Sequence, residues 1–335
     1  MSYEIYECID AGSDYCPCHL AETGDCIICS QLKKSGTCQC KNWCGTCIYQ
    51  DFLWNQNKSK NSRQYHRGKI LQKDELFDDL IILNIKIPHI LVKELKYAGS
   101  YVFFRKKADE PFFDFPISIM DYDDLNSTIR VAIQLAGAKT NRINDLNEGE
   151  EILVKGPYWN GILGIKHIRN CKGKTAVLIA RGIGQAPLIP TIKTLKTNGN
   201  EVILVVDKGR YNELFIKEYI DELCDKVVEL PLLEKGDIPS VSKEILIDLL
   251  LDYKPEVVHC DGVDILNYSV MKLVESINES LGEELLKYSC CNNARMCCGE
   301  GICGGCTFKT NDRILRRMCK MQTEPKYVLE GRRVL

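Results

Sequence analysis

Nineteen cysteines in 335 residues, gathered at the two ends, constrain this chain more than any other feature. Nine lie between Cys8 and Cys47 and seven between Cys290 and Cys319, while only Cys171, Cys224 and Cys260 occupy the long middle. Cysteine used this heavily makes either a disulfide framework in an exported protein or thiolate ligands in a reducing compartment. The opening MSYEIYECIDAGSDYCPCHL has neither a basic start nor an apolar stretch, so no export signal is expected. No run approaches the roughly 18 apolar residues of a membrane span, and the longest candidate, 80–92, is broken by Asn84, Lys86 and Pro88. The chain is therefore expected to be cytoplasmic, with metal or iron–sulfur ligands rather than disulfides at both ends. A net charge of −2 argues against nucleic acid as a partner.

Composition changes along the chain. Residues 1–62 form a cysteine-rich head with few aliphatics, closing on a polar stretch at 55–63 that reads as a linker. Over 63–172, short β-like runs at 80–87, 101–104, 128–133 and 151–155 alternate with turn signals, the pattern of an antiparallel barrel. Over 173–286, apolar strand runs (AVLIA at 176–180, VILVVD at 202–207, then 227–230 and 257–260) alternate with helical stretches. That alternation predicts a doubly wound parallel sheet. Residues 287–335 carry the second group of cysteines. The expected fold class is mixed β and α/β: an antiparallel barrel, a doubly wound parallel-sheet domain, a C-terminal cluster loop and a metal-binding head.

The C-terminal spacing is the strongest chemical signal. Cys298, Cys303, Cys306 and Cys319 follow C-x4-C-x2-C with a distant fourth cysteine, the plant-type [2Fe–2S] pattern. Gly299, Gly301, Gly304 and Gly305 let a loop wrap a small anionic cluster and turn N–H groups onto its sulfurs. A structural zinc knuckle is the plainer alternative. Cys297 could substitute as a ligand, while Cys290 and Cys291 are expected to pack or to face solvent. Lys309, Arg313, Arg316, Arg317, Lys320, Lys326, Arg332 and Arg333 make the tail basic, either as ordinary surface or as a dock for an acidic electron carrier. In the head, Cys16 and Cys18 with Cys26 and Cys29 are echoed by Cys38 and Cys40 with Cys44 and Cys47. Two thiolate quartets suit zinc or [4Fe–4S], and neither half matches the usual C-x2-C-x2-C run, so the choice stays open. His19, beside Cys18, reads as a bystander.

After the AVLIA strand come Arg181, Gly182, Ile183, Gly184, Gln185, Ala186 and Pro187. A glycine turn that ends a buried strand and opens a helix places backbone N–H groups where a pyrophosphate can bind. Together with the barrel and the terminal cysteine motif, this turn resembles the ferredoxin-reductase superfamily. More narrowly, it is similar to the electron-transfer subunit of dihydroorotate dehydrogenase and the small subunit of NADH–ferredoxin:NADP oxidoreductases. The resemblance runs from Tyr65 to the C-terminus.

That resemblance implies FAD, NAD(P) and a [2Fe–2S] cluster. It implies a flavin face at Pro116, Ile117 and Ser118, a pyrophosphate loop at Gly137, Ala138, Lys139 and Thr140, and a second turn running from Gly156 to Ile162. It implies nucleotide binding by Gly182, Ile183, Gly184, Ala186 and Pro187, with Cys260 of the Cys260-Asp261-Gly262 run on the nicotinamide side. Three positions depart from the family pattern. Phe115 replaces the arginine that precedes the proline, Lys139 replaces a loop glycine, and Arg181 replaces the first glycine of the nucleotide turn. The expected function is a relay from NAD(P)H through flavin and [2Fe–2S] to a partner oxidoreductase subunit or ferredoxin, within a hetero-oligomer. A free-standing ferredoxin reductase and a non-catalytic, metal-stabilised adaptor are the alternatives. Asp207, Lys208 and Arg210 follow the second strand with both signs of charge, which leaves NADH against NADPH open.

Overall fold

Too few aliphatic residues lie in the first segment to build long elements. The computed structural model, which describes residues 7–40, 45–309 and 315–330, shows there only β1 (Glu7–Cys8), α1 (His19–Thr23) and α2 (Ile48–Trp54), with a short 3-10 turn at Gln31–Lys33. Cys44, Arg313, Arg332 and Arg333 lie outside the described residues.

The barrel region folds as its alternation predicts. β2 (Tyr65–Phe77), β3 (Leu80–Lys86), β4 (Tyr101–Lys106), β5 (Phe115–Ser118), β6 (Asp121–Asp123), β7 (Thr128–Gln134) and β8 (Glu151–Tyr158) form one barrel-like sheet. Their order is β5-β4-β8-β2-β3-β7-β6, flanked by α3 (His89–Leu95) and α4 (Ala138–Asn144). β3 and β7 pair antiparallel, with Ile81, Leu83 and Ile85 opposite Ile133, Val131 and Ile129. All six lie in the barrel core, beside Val102, Phe104, Phe115, Ile152 and Val154. Each such side chain contributes roughly 1.5–3 kcal/mol on leaving water.

The second region adds β9 (Ile162–Leu163), α5 (Ile165–Asn170), β10 (Thr175–Arg181), α6 (Gln185–Thr197), β11 (Glu201–Asp207) and α7 (Lys217–Leu223). β12 (Lys226–Glu229), α8 (Ser240–Tyr253), β13 (Val257–Asp261), α9 (Asp264–Leu281) and β14 (Lys287–Cys291) complete it. Strand order is β12-β11-β10-β13-β14-β9, parallel from β12 to β14 with β9 antiparallel at the edge. β10, β11 and β13 are buried on both faces, which is why they read as unbroken apolar runs. β14, which sequence alone leaves with the terminal cysteines, is the fifth parallel strand and puts Cys290 in the interior of this sheet. The barrel and the parallel sheet are joined by the Phe77–Tyr211 stack at 4.9 Å, by Arg130 donating to Tyr219 at 2.9 Å, and by the Lys193–Asp121 and Arg210–Asp79 ion pairs.

Later in the chain come β15 (Thr307–Lys309), β16 (Leu315–Arg317), β17 (Met321–Gln322) and α10 (Lys326–Leu329). The chain divides into two compact units in a way that local patterns do not suggest. One is His66–Asn293 with the segment from Glu324; the other joins the head, up to Tyr65, to Ala294–Thr323. In this second unit β1 pairs with β17, Cys8 opposite Met321, and Ile9 N donates to the Lys320 carbonyl at 2.9 Å. Four buried charges sit beside that ladder. Arg63 pairs with Asp10 at 2.8 Å and with Glu300 at 3.3 Å, and Lys320 pairs with the same two carboxylates. The quartet is formally neutral, so each charge has its compensation in place.

Two expectations change here. The 55–63 stretch is no free linker, since Ser59 N donates to Glu22, Lys60 N donates to the Pro17 carbonyl, and the stretch ends in buried Arg63. Nor is the tail a uniformly basic surface: Lys320 is fully buried and Arg316 nearly so.

Candidate functional site

The glycine turn forms where strand order reverses. β10 lies between β11, which follows it in the chain, and β13, which comes from the other side, and ligands bind at such switch points in open α/β sheets. Gly182 adopts φ +58°, a left-handed conformation, and open space lies where its Cβ would stand. Gly184 is glycine for another reason: a Cβ there would come within 2.0 Å of the Asp261 carbonyl oxygen. The turn therefore lies directly against Asp261 and Gly262. α6 opens from it with Gln185 fully buried and neither side-chain amide atom hydrogen-bonded. Asp261 is also buried, its Oδ2 3.2 Å from His259 Nε2 but outside hydrogen-bond geometry, and neither carboxylate oxygen has a hydrogen-bond partner. His259 Nδ1 lies 3.0 Å from Ser289 Oγ on the neighbouring strand. Buried polar groups without partners cost stability, and at a ligand turn they fit a polar guest.

Arg181, the departure from the family turn, pairs in register with Asp207 and meets its carboxylate at 3.0 Å. Asp207 also accepts from Gly209 N and Leu232 N. Lys208 is paired with Glu229 and Arg210 with Asp79. All three residues that could read the ribose 2′ position are thus engaged within the protein. Cys260 lies on β13, fully buried between Ile179 and Cys290 in register, and burial pushes its thiol well above the usual range. Cys291, one strand over and half-buried, donates to the Gly262 carbonyl at 3.2 Å.

On the barrel, Pro116, Ile117 and Ser118 lie on β5, which pairs with β4 and ends the sheet. Phe115 turns inward, edge-on to Phe104 with ring centroids 6.3 Å apart, so the residue replacing arginine is a core residue. Lys139 reaches the same place from α4, where its ammonium donates to the Asp114 carbonyl at 2.8 Å, one residue before Phe115. A cation beside β5 is thus retained. Gly137, Ala138, Lys139 and Thr140 form the first turn of α4, where Thr140 Oγ1 accepts from Ala136 N and Gly137 N at 3.2 Å.

In the other unit, Cys298, Cys303, Cys306 and Cys319 share one loop system with backbone N–H groups on three of the sulfurs. Glu300 N donates to Cys298 at 3.3 Å, Gly305 N to Cys303 at 3.4 Å and Cys319 N to Cys306 at 3.4 Å. Contact with Cys319 draws the Cys306 thiol down to about 6. Gly299, Gly301 and Gly304 have φ of +71°, +78° and +75°, as a wrapping loop needs. Donor set and N–H placement fit a thiolate-bound iron–sulfur group. Among the described residues, no three Cys, His, Asp or Glu side chains are drawn together as a closed metal site. In the head, Cys16, Cys18 and Cys26 border one small cavity, and Cys29 is buried in the adjoining apolar cluster with Ala21, Leu32, Ile48 and Phe52, against which Cys16 and Cys26 also pack. Cys38, Cys40 and Cys47 are exposed.

No family model matches the chain. The electron transfer subunit of dihydroorotate dehydrogenase B (NAD(+)) from Clostridium acetobutylicum is 32% identical over 228 residues, 66% of this chain and 81% of that relative. The chain belongs to this family. The subunit of the same name from Clostridium perfringens is 26% identical over 257 residues, 77% of this chain and 94% of that relative. A solved NADH-dependent reduced ferredoxin–NADP oxidoreductase shares the fold at a TM-score of 0.59 and 19% identity, across 79% of this chain and 88% of that one. The expectation of an electron-transfer subunit with a ferredoxin-reductase-like fold is borne out. Among the described residues no helix is long and apolar enough to cross a membrane.

Sequence reasoning passed over four residues that the geometry brings forward. Gln185 and Asp261 stood within the turn and the Cys260-Asp261-Gly262 run but were given no role of their own; for His259 and Ser289, a polar residue interrupting a buried strand run was the one signal. It also passed over Cys8, which has no close cysteine neighbour in the chain.

Proposed function

We propose that the chain relays electrons between NAD(P)H and a partner oxidoreductase subunit or ferredoxin, as an NAD(P)H-dependent oxidoreductase component. The supporting observation is the turn at Gly182 and Gly184, which lies against Asp261 at the sheet's switch point in a chain of this family. In this reading the N–H groups of Gly182, Ile183 and Gly184, with Ala186 and Pro187 opening α6, receive the nucleotide pyrophosphate. Gln185 and Asp261 supply the polar partners that orient the nicotinamide end, and Cys260 backs that wall from inside the sheet. Ile117 and Ser118 on the unpaired edge of β5 hold FAD, whose pyrophosphate takes the Lys139 ammonium and the first turn of α4. Cys298, Cys303, Cys306 and Cys319 hold a [2Fe–2S] cluster. Bound together, these cofactors convert a two-electron donor into one-electron steps; the protein supplies position and environment. The head, 1–62, is a zinc or iron–sulfur module. The remaining working parts are 63–172 for flavin, 173–286 with β14 for nucleotide, and the rest of 287–335 for the cluster.

The test is the absorption spectrum of anaerobically purified full-length protein, with flavin, iron, zinc and sulfide counted on one sample, before and after NADH or NADPH. Flavin bleached by either nucleotide, with two irons and two sulfides lost together when Cys303 is changed to serine, is the expected result. Protein holding neither flavin nor iron, though never exposed to air, would sink the relay and leave the metal-stabilised adaptor.

A further inference from the structure

We propose that Cys8, Cys16, Cys18 and Cys26 are the ligands of a single metal ion in the head. This deepens the metal-module reading of the head and is separate from the relay. These four thiols, and not the sequence-suggested set ending in Cys29, line one cavity of about 20 Å³. Cys8 arrives there through the β1–β17 ladder, which sets it opposite Met321, and no pattern within the head would place it so. Cys29 does not line this cavity; it is buried in the adjoining apolar cluster with Leu32, Ile48 and Phe52, and its N–H donates to Cys26 Sγ at 3.4 Å. The rest of the cavity wall is mainly apolar, from Leu20, Ala21, Ile27 and Ile48, so the sulfurs are its main donors.

Size selects the guest. A cavity of about 20 Å³ holds roughly one water-sized sphere, which suits one ion with metal–sulfur bonds of about 2.3 Å. The four side chains are not drawn together as a closed site, and each cysteine has only χ1 to turn, so binding must bring the sulfurs together by side-chain rotation. Asp10, on the same wall, is held by Arg63 and Lys320, so its carboxylate adds no uncompensated negative charge beside the thiolates.

The ion is zinc or iron, and either supports the site. Full-length protein would be anaerobically purified, weighed by native mass spectrometry, analysed for metals and sulfide, and alkylated with peptide mapping. The expected result is one ion beyond the two irons and two sulfides of the C-terminal loop, with Cys8, Cys16, Cys18 and Cys26 protected together. C8S should lose one equivalent of metal and no sulfide. Cobalt loaded into the wild-type head should show tetrathiolate absorption that C8S lacks. Alkylation of Cys8 in metal-loaded wild type would overturn the site without relying on any variant to fold. So would sulfide above two per chain that disappears in C8S. Flavin content and NADH bleaching, read on the same sample, report the relay independently, so either reading can fail alone.

Discussion

Gly184 and Gly182 belong to one turn but are constrained by different physics, and substitution separates them. An alanine at 184 drives Cβ into a backbone carbonyl at 2.0 Å, so β13 or α6 must shift. Overpacking of this kind costs about 1–3 kcal/mol, and backbone against backbone lies at the upper end. An alanine at 182 meets nothing and suffers only the left-handed backbone, about 1–2 kcal/mol. G184A should therefore lose more stability in urea unfolding than G182A and abolish flavin bleaching by NADH while flavin stays bound; G182A should weaken bleaching only. Equal effects would deny that contact with Asp261 shapes the site. At this scale the sequence was legible where local spacing carries the meaning, as in C-x4-C-x2-C and the glycine turn. It was silent about Cys8, whose neighbours are made by a ladder to residues more than three hundred positions away; Lys139 could be named as a replacement for the charge lost at Phe115, but the place it reaches depends on where α4 lies.

At the scale of elements, the apolar strands β10, β11 and β13 were readable because both their faces are buried. β14 was not, because KYSCC mixes a lysine, a tyrosine and a serine into a strand whose middle is nonetheless interior. A connection just as hard to read ties α5 to the turn before α10. There Glu324 accepts from His167 at 2.8 Å and pairs with Lys166. Burial opposes its ionisation, but the bonds from His167 and Lys166 prevail and bring the carboxyl from 4.5 down to about 2. A depressed carboxylate stabilises the fold above its unfolded value and loses that contribution as pH falls through its folded value, here between about 4.5 and about 2. E324Q should thus be less stable than wild type at pH 7, on the order of 2 kcal/mol after allowance for partial exposure. The gap should close as urea unfolding is repeated toward pH 2.5. A gap independent of pH would mean that packing, not charge, joins these elements.

Over the whole molecule, the least legible feature is the union of the chain's two cysteine-rich ends in one compact unit, built on Asp10, Arg63, Glu300 and Lys320. Charged residues far apart in sequence read as solvated surface until the fold brings them together. Removing one member of a buried pair strands its partner and costs about 3–5 kcal/mol, while removing both members costs less. D10L and K320M should each destabilise this unit, and the double variant should be more stable than the sum of the two losses predicts. Strict additivity, measured by denaturant unfolding with cluster absorbance as the probe, would deny the coupling.

The same quartet also sets an order of events during biosynthesis. Arg63 waits for Glu300, 237 residues later, and Asp10 waits for Lys320, 310 residues later. At roughly 5–20 residues per second, the head leaves the ribosome tens of seconds before its partners exist. Its thiols pass that interval without their final enclosure, so the metal site proposed for the first segment translated is completed only with the last.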